Sequence, residues 1–366
     1  MRIGINALYL IPGGVGGTEI YLESLMAALA EIDSGHEYLV FTNRETGAAL
    51  VPARKNFHTL PQRVSAGNRP ARILWEQFVL PLQIARARLD VLFNPGFTAP
   101  VLSPCPQVTV FHDLQHRRHP EYFRWFDLPF WRALLFISAH CSRALIAVSE
   151  ATRQDLHRFY TLPRGKIRTV EHGVDPRFFS LLRAEADPPF VLAVSTLHPH
   201  KNIEGLLRAF APFSAAHPEY RLVVAGLRGF HTEPLEALRA SLGLEKSATF
   251  TGWIPREELY ALFAQARAFV YPSRFEGFGM PILEALAAGL AAACANVEPM
   301  AGIAGGAALL FDPADPAALE RCLETLCFNE QERKRLELAG PERAKQYTWA
   351  AAARATLAIL EEAATR

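Results

Sequence analysis

Cysteine is scarce and poorly spaced for pairing. The chain holds five (Cys105, Cys141, Cys294, Cys322 and Cys327), an odd number with no C-x-x-C pair. That sets aside a disulfide framework and a structural zinc site, and fits reduced thiols in a cytosolic protein. No uninterrupted apolar run reaches the roughly 18–20 residues that span a bilayer. The N-terminal MRIGINALYL enters a strand-like run at once, with no basic region, long apolar stretch or cleavage site, so no signal peptide is expected. Nor is one charge in surplus: Lys plus Arg number 38 and Asp plus Glu 37. That excludes nucleic-acid binding through a global field and requires a local site for any anionic ligand. We expect a cytoplasmic protein, with peripheral contact at the inner face of a membrane left open.

Core material, by contrast, is ample. Half of the 366 residues are apolar and a fifth are charged. That length exceeds what one hydrophobic core usually serves, so two domains are expected. Short apolar runs alternate with helical patterns, the signature of parallel α/β layers. In the first half RIGINALYL, YLVFT, DVLFN, QVTVFHD and ALIAVS read as strands, and EIYLESLMAALAEI and SEATRQDLHRFY as helices, with Ser149 a helix N-cap. At 173–189, GVDPRFFSLLRAEADPP breaks the pattern with three prolines and marks a linker. The grammar then restarts: FVLAVS, YRLVVAG, ATFTGW, AFVYPS, LAAACA and AALLFD are strands with helices between them. Two doubly wound units in tandem are expected, residues 1–178 and 179–346, with the helical tail 347–366 crossing back onto the first. In sheets of this kind ligands sit beyond the carboxyl ends of the strands.

Residues 276–284, EGFGMPILE, follow the strand AFVYPS. Gly277 and Gly279 permit a positive φ and close backbone approach; Pro281 suits the first turn of a helix and Gly289 its stop. A helix N-terminus there offers amides to an anion such as phosphate. Glu276 on the loop and Glu284 one turn into the helix would repel phosphate but accept hydrogen bonds from sugar hydroxyls. From spacing alone two readings stay open: a site for a ligand carrying both phosphate and sugar, or an ordinary strand–turn–helix with a solvated Glu276 and a capping Glu284. In HPHKN, Lys201 follows a strand and is placed to neutralise a leaving diphosphate, although a lysine taken alone usually marks solvated surface. In VFHDL, His112 and Asp113 end an apolar strand. His112, His116 and His119 do not make a convincing metal cluster, because no secure helix holds their spacing and Pro120 follows at once. The glycine-rich GGVGGTE at 13–19 lacks the G-x-G-x-x-G spacing of a dinucleotide fingerprint and reads as a phosphate-cradling loop or a flexible turn.

Taken together, FTGWIPREELYALFAQARAFVYPSRFEGFGMPILEALAAG resembles the donor-binding half of family 4 glycosyltransferases, retaining enzymes of the α/β GT-B fold. The similarity extends through GGVGGTEIYLESL, VFHDLQHRRHPEYF, IAVSEATRQDL, EHGVD and YTWAAAARATL to nearly the whole chain. It implies two Rossmann-like doubly wound domains facing across a cleft, an acceptor on the first and a nucleotide-sugar mainly on the second. Glu276 and the amides of Gly277, Phe278 and Gly279, ahead of Met280, would contact the transferred sugar. Glu284 would bind the ribose, and Gly252, Trp253 and Ile254 would line the base. Thr196, His200 and Lys201 would meet the diphosphate. His112, with Asp113, would lie beside the sugar, and Gly16 and Gly17 would let donor and acceptor approach. The catalytic set is then His112, Asp113, Lys201 and Glu276. No D-x-D pair occurs in the chain, so no metal or other cofactor is expected.

FHDLQHRRHPEYF and the Thr196…Lys201-Asn202 pattern are similar to mannosyl- and related transferases of surface polysaccharide assembly, which makes GDP-mannose the first expected donor and a UDP-hexose the second, with a sugar or lipid-linked acceptor. The chain departs from the family's pattern at three places: His200 stands where an Arg-Lys pair has arginine, Ala301-Gly302 replaces Pro-Glu, and Leu290-Ala291-Ala292 replaces a Pro-Val segment. Two further readings share the architecture, a nucleotide-sugar-binding protein without turnover and a nucleotide-sugar epimerase. Residues 72–88 and 117–136 interleave arginine with aromatics; they are either helices with buried aromatics or segments that lie on an anionic membrane.

Overall fold

The computed structural model describes residues 1–14 and 16–365; Val15, in the glycine-rich stretch, and Arg366 lie outside them. The chain divides into two compact units, Met1–Gly173 joined by the C-terminal segment from Thr348, and Val174–Tyr347. Both are parallel-sheet, Rossmann-like domains.

The first unit is built on β1 (Arg2–Asn6), β2 (Glu37–Thr42), β3 (Phe57–Pro61), β4 (Val91–Asn94), β5 (Gln107–Phe111), β6 (Ala144–Ala147) and β7 (Ile167–Thr169), in the order β3-β2-β1-β4-β5-β6-β7. Every pairing is parallel, with Ile3 opposite Tyr38 and Val91, and Val108 opposite Ala144. A parallel strand covered by helices on both faces must be apolar on both; β4 and β5 are buried at every position. The helix Gly17–Ile32 buries Tyr21, Leu22, Leu25, Met26 and Leu29, the i, i+4, i+8 stripe of an amphipathic helix. Two strands, β3 and β7, escape the sequence reading. FHTLP is half exposed and ends in proline, as an edge strand tolerates; IRT is three residues long.

The second unit carries β8 (Phe190–Val194), β9 (Arg221–Ala225), β10 (Ala248–Gly252), β11 (Ala268–Tyr271), β12 (Ala292–Ala295) and β13 (Leu309–Phe311), in the order β10-β9-β8-β11-β12-β13. Winding reverses between β8 and β11, which pair directly through Val191–Ala268 and Leu192–Phe269. The core beside them holds Phe210, Phe213, Phe263 and Phe269, all fully buried. Such a reversal opens a crevice at the carboxyl ends of the two strands, and there the chain places residues 195–202 and 272–279.

The tail forms the helix Trp349–Thr365 and returns to the first unit, where it packs on the helix Gly17–Ile32 and on β4 to β6. Its first residue, Trp349, stacks on His172 (centroids 5.7 Å apart) and meets Tyr21 edge-on (6.0 Å). Gly173 makes this return possible: an added Cβ would lie 2.1 Å from the Trp349 amide nitrogen. Because that contact is backbone, no rotamer change can relieve it. We expect Gly173→Ala to cost about 2–3 kcal/mol, the scale of core overpacking, seen as a lower urea midpoint; an unchanged midpoint contradicts the packing described.

Candidate functional site

At the β8–β11 reversal the decisive contact is an ion pair. The Lys201 ammonium donates to Glu276 Oε1 at 2.6 Å, with side-chain exposures of 16% and 12%. The Tyr271 hydroxyl, from the last residue of β11, donates to the same oxygen at 2.6 Å. Burial pushes the Glu276 carboxyl up, but the Lys201 charge and the two hydrogen bonds outweigh it and hold the group below the usual carboxylate range. Tyr271 is pushed well above the usual phenol range, by burial first and then by the charges of Glu276 and Glu284, so it stays a donor at neutral pH and lies within the field of both carboxylates.

Lys201 is held by the short 3-10 turn Pro199–Lys201 and by Asn202 in a left-handed conformation (φ 54°). The turn is tied to the Glu276 loop: the His200 carbonyl accepts from the Arg274 amide at 2.7 Å and from the Ser273 hydroxyl at 3.3 Å. His200 is buried, its ring stacked 5.8 Å from His198. Thr196 sits half-buried two residues past β8, its carbonyl accepting from the His198 amide at 2.8 Å. Reading Lys201 as solvated surface is thus overturned, because the partner that buries it lies 75 residues away.

Gly279, at φ 112°, caps the start of the helix Met280–Ala287, with Pro281 in its first turn. An added Cβ would meet Met300 Cγ at 3.2 Å, so glycine serves both the turn and the packing. Gly277 is partly buried and Phe278 buried, the latter edge-on to Tyr347. Inside the helix Glu284 is buried and accepts from Arg256 at 3.0 Å. Arg256 also donates to the Tyr260 hydroxyl at 3.1 Å and approaches Asp175 at 3.5 Å, and Tyr260 donates to Asp175. Burial raises the Glu284 carboxyl and Arg256 offsets this only in part. The structure therefore sets aside the solvated Glu276 and the capping Glu284. Nearby in sequence to Arg256, Gly252 ends β10 at φ 75°, Trp253 is exposed and Ile254 partly buried.

In the first unit His112 follows β5. Its Nε2 bonds the Pro95 carbonyl at 2.8 Å, and burial lowers its pKa to about 4, so it is neutral at pH 7. Its ring meets Tyr21 (4.9 Å), Phe97 (5.2 Å) and His172 (5.9 Å). Asp113 accepts from the Gln115 amide at 2.8 Å. Gly16, at φ 59°, caps the helix that Gly17 begins. His116 bonds the Tyr160 hydroxyl at 3.0 Å and His119 pairs with Glu121 at 2.9 Å; among the described residues no three His, Cys, Asp or Glu side chains group as metal ligands. Ser149 accepts from the Thr152 amide at 3.1 Å as the N-cap of Glu150–Phe159.

Sequence reasoning missed Tyr271, Arg256, Tyr260 and Asp175. All four lay inside stretches already singled out, Tyr271 in AFVYPS, Asp175 in EHGVD, and Arg256 and Tyr260 in FTGWIPREELYALFAQAR, and a tyrosine closing a buried strand beside a glutamate loop was the usable signal.

Two doubly wound domains with a charged crevice at a strand-order reversal define the class of Rossmann-like nucleotide-handling folds. Comparison with known proteins narrows this. Residues 176–343 match the model of glycosyl transferases group 1 and residues 15–178 that of glycosyltransferase family 4; the chain belongs to these GT-B glycosyltransferases. It is 30% identical over 253 residues to the O-antigen chain mannosyltransferase B of Escherichia coli, covering 66% of each chain. It is 26% identical over 221 residues to the serotype-specific mannosyltransferase WbdA of Escherichia coli, covering 57% of this chain and 27% of that one. The chain thus spans about two thirds of the first relative and about a quarter of the second. The crystal structure of Anabaena HepE in complex with UDP and glucose superposes with a TM-score of 0.77 at 18% identity, over 99% of both chains, which shows the shared fold.

Removing Arg256 leaves Glu284 buried without its cation, a change that costs on the order of 3–5 kcal/mol when the carboxylate is charged. In Arg256→Ala the Glu284 pKa rises further above its unfolded value. Stability is then retained below the unfolded pKa and lost as pH rises through the folded one. The deficit in melting temperature relative to wild type should be large at pH 8 and shrink toward pH 5. A deficit independent of pH contradicts the pairing.

Proposed function

We propose that the chain transfers a hexose from a nucleoside diphosphate to an acceptor hydroxyl with retained anomeric configuration, and that the hexose is mannose carried by GDP. The observation that carries this reading is the buried Lys201–Glu276 pair beside the start of the helix Met280–Ala287. It sets a lysine ammonium, a carboxylate and helix amides within one crevice, the set that a sugar linked to a diphosphate requires. Lys201 and Tyr271 both engage Oε1, so Oε2 is the oxygen open to a sugar hydroxyl. When the donor enters, the Lys201 ammonium turns to the diphosphate, with Thr196 and His200 beside it, while Glu276 and the backbone of Gly277, Phe278 and Gly279 hold the sugar. Glu284, aligned by Arg256, takes the ribose, and Gly252, Trp253 and Ile254 line the base. Acceptor binding is assigned to the first unit, near Gly16, Gly17, His112 and Asp113.

In the reaction the bond from the anomeric carbon to the phosphate oxygen breaks and the bond to the acceptor oxygen forms on the same face. The acceptor's proton passes to the departing phosphate, and Lys201 balances the charge that grows there. The transition state is oxocarbenium-like, as in other glycosyl chemistry. Because Lys201 and the helix amides supply the positive charge, we assign the reaction no metal. The assignment of mannose rests on the mannosyltransferase names of the two Escherichia coli relatives, and an acceptor in O-antigen assembly on the name of the first.

The test is a donor screen. Purified protein is incubated with each common nucleotide-sugar, with and without EDTA, and nucleoside diphosphate release is followed. We expect slow hydrolysis of GDP-mannose, unaffected by EDTA and reduced by about 10²-fold or more in Glu276→Ala, the scale of losing one electrostatic contact to the transition state. No turnover of any donor together with no thermal stabilisation by any of them would overturn the reading.

A further inference from the structure

In the second unit, two loops that leave the paired strands β8 and β9 bring three histidines and a lysine together. The loop 226–231 runs beside the loop 195–198. The Leu197 amide donates to the Leu227 carbonyl at 3.0 Å, and the His231 amide to the Leu197 carbonyl at 3.3 Å. Gly229 lets them close up, since an added Cβ would lie 2.3 Å from the Leu197 carbonyl oxygen and 2.7 Å from His198 Nδ1. The His198 ring stacks on that of His200 at an interplanar angle of 21° and meets Phe230 at 4.7 Å. The Lys201 amide donates to the His198 carbonyl at 3.0 Å, which starts the turn that carries both His200 and the ammonium.

His198 does not hold the fold together through hydrogen bonds. Its Nδ1 is buried without a partner, and a buried polar atom left so calls for a reason. Burial first, then the neighbouring Lys201 and His231, keep this imidazole below the usual histidine range, so it is neutral at pH 7. The other charged groups on the surrounding elements are Arg228, Glu233 and Arg274, all exposed, and Glu276, bound to Lys201 and Tyr271. Before a donor enters, the buried charges cancel, Lys201 against Glu276. A nucleoside-diphosphate sugar adds a negative charge on each phosphate, of which the start of the helix Met280–Ala287 offsets about half a charge. Exposed arginines are screened by water and salt. An imidazole beside the incoming anion can supply the difference, because the anion favours its charged form and histidine gains a proton near neutral pH.

We propose that His198 and His200 are donor-binding residues that acquire their charge with the ligand. The stacked pair takes up one proton from solvent as the diphosphate seats beside Lys201, and returns it when the nucleoside diphosphate leaves. Like charges on adjoining rings oppose each other, which limits the uptake to one. This assignment rests on the reading of the crevice as a donor site. Linkage fixes the sign: the donor raises the imidazole pKa, so affinity is full at low pH and falls as pH rises through the pKa of the complex.

The experiment is calorimetric titration of the whole chain with GDP-mannose, and with UDP-glucose, at pH 6, 7 and 8 in buffers of small and large ionisation enthalpy. Neither ligand has a group that titrates in this range, because each phosphate is esterified, so any proton comes to the protein. For the wild type we expect uptake approaching one proton and an affinity that falls by up to about tenfold per pH unit, the limit for a single proton. His200→Arg installs a permanent charge and disfavours protonation of His198; its affinity should stay within about twofold between pH 7 and 8, with little uptake. His198→Gln, a change at a partly exposed ring, should at least halve the uptake, and melting temperatures identify which variants fold. Binding that is indifferent to pH, or uptake unchanged in both folded variants, overturns the proposal and leaves the donor reading standing. The second of these results places the proton on a carboxylate such as Glu276. No binding of either donor at any pH overturns the donor reading and the proposal with it.

Discussion

A carboxylate buried at the end of a parallel strand is tolerated only if a cation is buried with it, and the second unit is arranged around that requirement. Taking two charges out of water costs several kcal/mol per ion, which their attraction returns only in good geometry. Glu276 and Lys201 reach 2.6 Å because the loops that carry them leave β11 and β8, strands that are hydrogen-bonded neighbours although distant in sequence. Tyr271 supplies the extra hydrogen bond such a pair needs. The contacts of Arg274 and Ser273 with the His200 carbonyl lock the two loops to each other. The glycine turn and the helix Met280–Ala287 can then begin at a fixed place.

The two units use the same topological position differently. In the first, winding reverses between β1 and β4, and the residues ending those strands are neutral amides: Asn6 donates to Asn94 at 3.1 Å, and Asn94 in turn donates to Gln107 and Thr109. Hydrogen bonds between neutral groups satisfy these buried polar atoms, and the buried carboxylate close to them, Glu76, accepts from Thr98 at 3.0 Å and lies 3.8 Å from Arg72 on its own helical stretch. In the second unit the equivalent position carries a cation paired to a carboxylate, and a second pair, Arg256 with Glu284, stands one helical turn along. That contrast supports the proposal that phosphate and sugar bind to the second unit.

Much of this was legible in the sequence because parallel strands buried on both faces announce themselves as continuous apolar runs. Among the described residues, eleven of thirteen strands coincide with stretches that read as strands, and the missing β3 and β7 are an exposed edge and a three-residue run. Local chemistry was legible too: the glycine turn, Pro281 and the Ser149 cap follow from backbone rules that act over a few residues. What sequence could not supply is who meets whom across long separations. Lys201 alone looks like surface, and its burial depends on a partner 75 residues on. Arg256 and Asp175 look like ordinary charges until folding brings them to Glu284 and Tyr260, 28 and 85 residues from their respective partners. Pairings of that range leave no periodic signal.

The most direct test of this account is a double-mutant cycle on unfolding free energy with Lys201→Met, Glu276→Gln and the two combined. Lys201→Met strands a buried anion and Glu276→Gln a buried cation, whereas the double variant strands neither. The account predicts that the double variant loses less than the sum of the singles, with a coupling of about 2 kcal/mol or more at neutral pH. Additive losses would show that the two charges do not hold each other, and would contradict the view that this pair organises the site.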